Sequence, residues 1–332
     1  LDWERDAFVT VSDRPLTFSS VAVHSPADLI AAGQGADALV IGAREAIDAS
    51  VLSQLPQLKV IGRLSVGLDN IDLPACTAHS VVVTHYPQYC TDEVADHAIA
   101  MIYALNRNLV GFDRTLREAS WIHNQFDMGR LLHGQRIRPL RRLTLGIIGL
   151  GRIGQQVARR MAPSVGEVIA HDPYLDPTKA AALGVALVEL PDLLARADIV
   201  SVNCPLTPET RHLLNRDTLA MMKPDALLVN TARGPIIDGG ALAIALAEGP
   251  LAAAAIDVFE EEPLPMDDPL AALPNLVMTP HAAYYSEESA ETIRRETLQA
   301  VLDVLRGREP IVTANPDVLK RLTLAPRANA PI

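Results

Sequence analysis

Between two apolar stretches the chain reads Gly149-Leu150-Gly151-Arg152-Ile153-Gly154, a G-x-G-x-x-G turn. Alone the pattern is common, but here the apolar run 143–148 leads into it and a helix-compatible stretch from Gln155 leads out. In that setting Gly149 permits a tight turn, Gly151 lets backbone approach a pyrophosphate, and Gly154 lets helix and strand pack closely. The helix that begins beside Arg152 and Ile153 offers free N–H groups and the positive end of its dipole to phosphate. Arg152 either adds a charged contact there or faces solvent. About 20 residues further on, where a ribose-binding acid belongs, stands Asp172. A carboxylate at that place accepts ribose hydroxyls and repels a 2′-phosphate, and the next residues, Pro173 and Tyr174, bring no cation. The chemistry is dinucleotide binding, with NAD favoured over NADP.

The elements that must position this turn follow from periodicity. At 332 residues the chain is too long for one ordinary core, so two domains are expected. In the first hundred residues, 38–41, 60–61 and 81–84 read as strands, and 25–33 and 46–55 as helices. Residues 91–109 place Val94, Ala98, Met101, Ile102 and Leu105 on one face of a long helix capped by Thr91 or Asp92. The tract 111–142 is loop-rich and basic. From 143 onward, strands are expected at 143–148, 167–170, 199–202, 227–230 and 253–258, with a helix at 155–161. Near-continuous apolar strands separated by helices imply a parallel sheet covered on both faces. A last amphipathic helix, 286–305 with Ser286 as cap, carries the chain back to the first domain. The expected class is α/β with two Rossmann-like domains. A doubly wound parallel-sheet NAD-binding domain, 106–283, is inserted into a smaller flavodoxin-like substrate domain, 1–105 and 284–332.

Composition narrows the partners. A chain with 49% hydrophobic and 21% charged residues is ordinary globular protein. The net charge of −11 argues against direct nucleic-acid binding, which needs a basic stripe. The nearest candidate, Arg136, Arg138, Arg141 and Arg142, reads as a solvated loop or subunit contact. Cys76, Cys90 and Cys204 are odd in number and lack metal-ligand spacing, so no metal is expected. Free thiols suit a reducing, cytoplasmic compartment. No apolar run of about 18 residues and no basic-then-apolar start occurs, so neither a membrane span nor a secretory leader is expected.

Three segments after strands of the second domain carry further chemistry: Asn230-Thr231-Ala232-Arg233-Gly234, Asp257-Val258-Phe259-Glu260-Glu261-Glu262-Pro263, and Thr279-Pro280-His281-Ala282-Ala283-Tyr284-Tyr285-Ser286-Glu287. Together with Gly62-Arg63-Leu64-Ser65-Val66-Gly67-Leu68-Asp69-Asn70-Ile71-Asp72 they resemble the D-isomer-specific 2-hydroxyacid dehydrogenase family over nearly the whole chain. Within it, Cys90-Thr91-Asp92-Glu93-Val94-Ala95-Asp96 and the segment from His281 to Glu287 look most similar to the C-terminal binding protein branch. Members of that branch act as NAD(H)-responsive corepressors in animals and keep a dehydrogenase site.

The resemblance implies that Arg233 binds the substrate carboxylate and polarises the carbonyl, that His281 is the general acid/base, and that Glu262 is hydrogen-bonded to it. Spacing alone does not choose among Glu260, Glu261 and Glu262; the family pattern puts the glutamate immediately before proline. The chemistry suits these roles. Hydride addition to a ketone makes an alkoxide that must be protonated as it forms, and histidine titrates near neutral pH. A neighbouring carboxylate favours imidazolium. Arginine's planar fork matches a carboxylate.

The same resemblance implies that Cys204, Pro205, Thr210, Thr231, Ala232 and Asp257 line the dinucleotide, Asp257 taking the carboxamide. The amides of Val66 and Gly67 would meet the substrate carboxylate, with Arg63 as a second cation, and Tyr284 would shape the pocket where the corepressor branch has tryptophan. One position departs: Gly239-Gly240 follows Ile237-Asp238 where the family usually has glutamate, implying a looser helix start with no effect on the chemistry. Family members are dimers, and 105–145, including Trp121, would supply that contact in a homodimer. The expected function is hydride transfer between NAD(H) and a small 2-keto/2-hydroxy acid. An NADH-sensing binding protein and a phosphoglycerate or oxyanion dehydrogenase are the alternatives.

Overall fold

Residues 16–118 and 137–326 are described by the structure, a computed structural model. The chain divides into two units: Thr91–Tyr285, which is contiguous, and a discontinuous one made of the chain up to Cys90 and from Ser286 onward.

In the discontinuous unit, β1 (Ala38–Ile41), β2 (Val60–Arg63) and β3 (Val82–His85) form a parallel sheet in that order. The central strand is buried along its whole length, as a short apolar run covered on both faces must be. The Glu287–Leu305 helix packs on β2, and Thr297 Oγ1 donates to the Arg63 carbonyl at 3.3 Å. Its start is fixed by a reciprocal cap: Ser286 Oγ accepts the Ser289 N–H at 2.9 Å, and Ser289 Oγ accepts the Ser286 N–H at 2.8 Å.

The contiguous unit holds seven parallel strands: β4 (Thr144–Ile148), β5 (Glu167–His171), β6 (Ala186–Leu187), β7 (Ile199–Val202), β8 (Ala226–Asn230), β9 (Leu251–Ile256) and β10 (Leu276–Met278). Their order is β10-β9-β8-β7-β4-β5-β6. This is the doubly wound arrangement, and its order reverses between β4 and β7. A crevice outside the carboxyl ends of those two strands is where such sheets bind ligands. At the opposite ends of these strands Asp198 accepts the Thr144 N–H and Arg138 Nη1. Burial pushes its carboxyl up, but those donors and Lys223 outweigh it and hold the group below its ordinary value.

Three expectations shift. The long helix ends at Asn106, because Asn108 takes a left-handed φ of 47°, and the chain restarts as the Leu109–Glu118 helix. Thr91–Asn106 belongs to the contiguous unit, not to the first domain, since Ala95, Ala98, Met101, Ile102 and Leu105 join Leu145, Ile147 and Val229 in one core. Tyr284 falls in that unit too. The strand expected at 253–258 runs Leu251–Ile256, so Asp257 and Val258 have already left the sheet. Of the basic cluster, Arg138 pairs with Asp198 at 2.8 Å, whereas Arg136 lies outside the described residues, as does Trp121. Among the described residues no helix is long and apolar enough to cross a membrane.

Candidate active site

The glycine turn leaves β4 at the reversal point. Gly149 has a φ of 88°, and a Cβ there would meet the Cys204 backbone nitrogen at 2.6 Å, so no other residue fits. Gly151 is the N-cap of the Arg152–Met161 helix and has no side-chain cap, which leaves the first N–H groups for another acceptor. Nothing lies within 4 Å of a Cβ built on Gly151. The helix starts ahead of the expected Gln155, so Gly154 sits in its first turn, and a Cβ there would fall 2.2 Å from the Gly149 carbonyl oxygen. Asp172 Oδ2 accepts the Leu150 N–H at 2.8 Å and Oδ1 the Tyr174 N–H at 3.0 Å, which anchors a carboxylate beside the turn. At the ends of β7 and β8, Asn203 Oδ1 and Thr231 Oγ1 are buried with no partner among the described residues. A glycine cradle, free helical N–H groups and orphaned buried acceptors fit a dinucleotide. Arg152 is exposed on the helix's first turn.

At the C-terminal ends of β8, β9 and β10, three loops form the second cluster. Asn230 braces the first of these: its Oδ1 accepts the Ala232 N–H at 3.0 Å and its Nδ2 donates to the Arg233 carbonyl at 2.9 Å. Gly234 lets this loop press on the next, since a Cβ there would sit 1.9 Å from the Phe259 carbonyl. Glu262 Oε2 lies 2.7 Å from His281 Nδ1, and Oε1 accepts the Phe259 N–H at 3.0 Å. Burial raises the Glu262 carboxyl, but the His281 and Phe259 hydrogen bonds and the charges of His281 and Arg233 overcome it and hold it below its ordinary value. An ionised Glu262 only accepts, so His281 Nδ1 carries the proton and Nε2 lies outside this bond. Glu260 is otherwise engaged, 2.6 Å from His212 Nε2 and accepting the Gly239 N–H at 2.9 Å.

His281 has a φ of 55°, a strained conformation for a non-glycine residue that costs on the order of 1–3 kcal/mol. Asp257 holds it there. The backbone carbonyl of Asp257 accepts the His281 N–H at 2.8 Å, Oδ1 accepts Ala282 N–H at 2.8 Å and Thr279 Oγ1 at 2.5 Å, and Oδ2 accepts Ala283 N–H at 2.9 Å. Asp257 is fully buried, and its carboxylate braces the histidine turn.

A family model described as the NAD binding domain of D-isomer specific 2-hydroxyacid dehydrogenases matches residues 99–283, more than half of the chain. The chain belongs to this family. It is 41% identical over 279 residues to D-3-phosphoglycerate dehydrogenase of Mycobacterium tuberculosis (strain ATCC 25618 / H37Rv), covering 84% of this chain and 51% of that one. The chain thus spans about half the length of the phosphoglycerate dehydrogenases it matches. To glyoxylate reductase of Thermofilum pendens it is 38% identical over 288 residues, covering 86% of this chain and 83% of the relative. The crystal structure of D-lactate dehydrogenase from Aquifex aeolicus, complexed with NAD and lactic acid, matches with a TM-score of 0.79 at 29% identity, over 97% of this chain and 95% of that one.

In this member of the 2-hydroxyacid dehydrogenase family, Arg63 is 1% exposed, with Nε donating to Ser65 Oγ and the Gly67 carbonyl, Nη1 to the Gly42 carbonyl, and Nη2 to the Ala43 carbonyl and Asn70 Oδ1. These bonds shape the loop. The amides of Val66 and Gly67 donate to no carbonyl among the described residues. Thr210 accepts the Thr207 N–H at 2.7 Å and donates to the Pro205 carbonyl at 2.7 Å, which folds the loop after β7 on itself beside buried Cys204. Burial pushes the Cys204 thiol up to about 11, so it is a wall rather than a nucleophile. Tyr284 is 41% exposed. Gly239 begins its helix normally, Asp238 capping through the Ala241 N–H at 2.9 Å. Sequence reasoning misses Asn203, Thr279 and His97. The available signal is a histidine interrupting the apolar periodicity of the Thr91–Asn106 helix.

Proposed function

We propose that this chain is an NAD-dependent enzyme interconverting small, unphosphorylated 2-keto acids and D-2-hydroxy acids. The observation that carries the reading is the 2.7 Å His281–Glu262 pair, set on a strapped turn, with the Arg233 charge felt at Glu262. The glycine turn, the helix from Arg152, Asn203 and Thr231 would hold NAD(H), which supplies or takes up the hydride when bound. Arg233 binds the substrate carboxylate and draws electron density toward the carbonyl oxygen. As the carbonyl becomes an alkoxide, His281 Nε2 gives it a proton. In the oxidative direction Nε2 removes that proton from the hydroxyl. Glu262 orients the ring and balances the imidazolium charge. The relatives named above are dehydrogenases and a reductase, which favours an enzyme over a binding protein.

The 41% identity to phosphoglycerate dehydrogenases favours a second reading, a phosphorylated substrate. A phosphate would need donors beyond Arg233, and Arg63, the second cation the sequence suggests, is 1% exposed and bonded to its own loop. Anchored Asp172 favours NAD over NADP by repelling a 2′-phosphate. Buried free thiols suit the cytoplasm, and the exposed Leu109 and Val110 of the Leu109–Glu118 helix suit a homodimer contact, which light scattering checks.

The test is NADH oxidation with glyoxylate, pyruvate, hydroxypyruvate and 3-phosphohydroxypyruvate, with NADPH run alongside. Unphosphorylated acids should turn over with NADH, and His281→Ala should lose about 10²–10⁴-fold in kcat. Tight cofactor binding with no turnover across the panel refutes the reading.

A further inference from the structure

The Thr91–Asn106 helix buries an apolar face, yet at residue 97 it presents an imidazole that is only about a quarter exposed. His97 Nε2 lies 3.1 Å from Thr279 Oγ1 and 3.8 Å from Asp257 Oδ1. The Thr279 hydroxyl has one proton, and it goes to Asp257 Oδ1 at 2.5 Å. The hydroxyl therefore accepts from His97, which fixes the ring as the Nε2–H form, whether neutral or protonated. A chain of hydrogen bonds results: His97 to Thr279, Thr279 to Asp257, and Asp257 to the amides of Ala282 and Ala283 that follow His281.

The chain has a mechanical consequence. His281 is held at positive φ by its N–H bonds to the Asp257 carbonyl and, at 3.0 Å, to the Thr279 carbonyl. Asp257 carries a carboxylate with no exposure, and within 4 Å the only cationisable group among the described residues is His97. A buried carboxylate keeps its geometry only while its donors are in place. Thr279 is one of them, and the rotamer that lets its hydroxyl reach Asp257 is the one that receives His97. The Glu262–His281 bond in turn depends on where the strap leaves the imidazole.

We propose that His97 is a positioning residue for the reaction, acting through Thr279 and Asp257 on the placement of the His281 ring. It touches neither reactant nor cofactor in this role. The inference rests on the functional reading above. Because His281 transfers its proton as the carbonyl is reduced, a misplaced ring lowers kcat and kcat/KM together and leaves KM and cofactor affinity unchanged.

The test compares His97→Leu with His97→Gln, whose amide nitrogen reaches the position of Nε2. His97→Leu should lower kcat about tenfold to a hundredfold at unchanged KM and unchanged NADH affinity, the worth of one hydrogen bond in a charged network. His97→Gln should return to within about threefold of the parent. If the leucine variant does not fold, Thr279→Val against Thr279→Ser reads the same link, the serine retaining its hydroxyl. Equal behaviour of leucine and glutamine, or a leucine variant with parental kcat, overturns the proposal. A readout independent of turnover is ¹⁵N histidine NMR. The parent should show His97 protonated at Nε2, and the His281 signals should move in His97→Leu and not in His97→Gln. His97 found as the Nδ1–H tautomer also overturns it. If the parent reduces no keto acid, the functional reading fails, and the NMR comparison still decides the role of His97.

Discussion

Glu262 keeps a negative charge beside the His281 ring, and its carboxyl lies below its ordinary value of 4.5 despite partial burial. A depressed carboxylate contributes stability that is fully present above 4.5 and is lost as pH falls through the lower folded value. Glu262→Gln keeps the shape and an acceptor oxygen but removes the charge. The parent should therefore exceed the variant in urea midpoint at neutral pH, and the gap should shrink from 4.5 downward and close when Glu262 is protonated in both states. A gap that does not vary with pH would show that the carboxylate gains nothing from folding. Residues whose roles are local in sequence, such as Gly149, Asp172 and Glu262 ahead of Pro263, are legible in the amino-acid order alone. Arg63 and Asp257 are not, because their type announces a charge but not what hydrogen-bonds it. The partners of Arg63 include carbonyls near residue 42, and those of Asp257 lie beyond residue 278, distances at which a sequence pattern has no register.

At the scale of elements, the strands and helices with strong periodicity are readable, and alternating apolar runs and helices are enough to imply the parallel sheet. What escapes is short or punctuated: β6 and β10 have too few residues to show a period, and one left-handed asparagine splits a helical pattern that looks continuous. The glycine turn is where element geometry becomes testable. Gly154→Ala places a methyl 2.2 Å from the Gly149 carbonyl, forcing helix and strand apart, and should cost about 1–3 kcal/mol of stability along with NADH affinity. Gly151→Ala adds its methyl to open space at ordinary φ, so stability should hold while NADH binding weakens at least about tenfold, because the methyl takes room that pyrophosphate needs. Urea melts and NADH fluorescence titrations separate the two. Unchanged affinity in Gly151→Ala would remove the pyrophosphate from this turn.

For the whole molecule, the division into a contiguous and a discontinuous unit sets which part a ligand can stabilise. The cradle, Asp172, Asn203 and Thr231 all belong to Thr91–Tyr285. Binding to the folded form alone adds RT ln(1 + [L]/Kd), about 2.7 kcal/mol at a hundredfold excess over Kd. NADH should therefore protect amides in β4, β7 and β8 against hydrogen exchange by about that amount, roughly a hundredfold in rate. Amides of β1, β2 and the Glu287–Leu305 helix should stay near their ligand-free rates. NADPH at the same concentration should protect less, because Asp172 is fixed beside the turn by the Leu150 and Tyr174 amides and cannot swing away from a 2′-phosphate. If NADH protected the three-stranded sheet and left β4 and β7 unchanged, the dinucleotide would have to sit on the other unit, and the assignment of every glycine in the turn would fall with it.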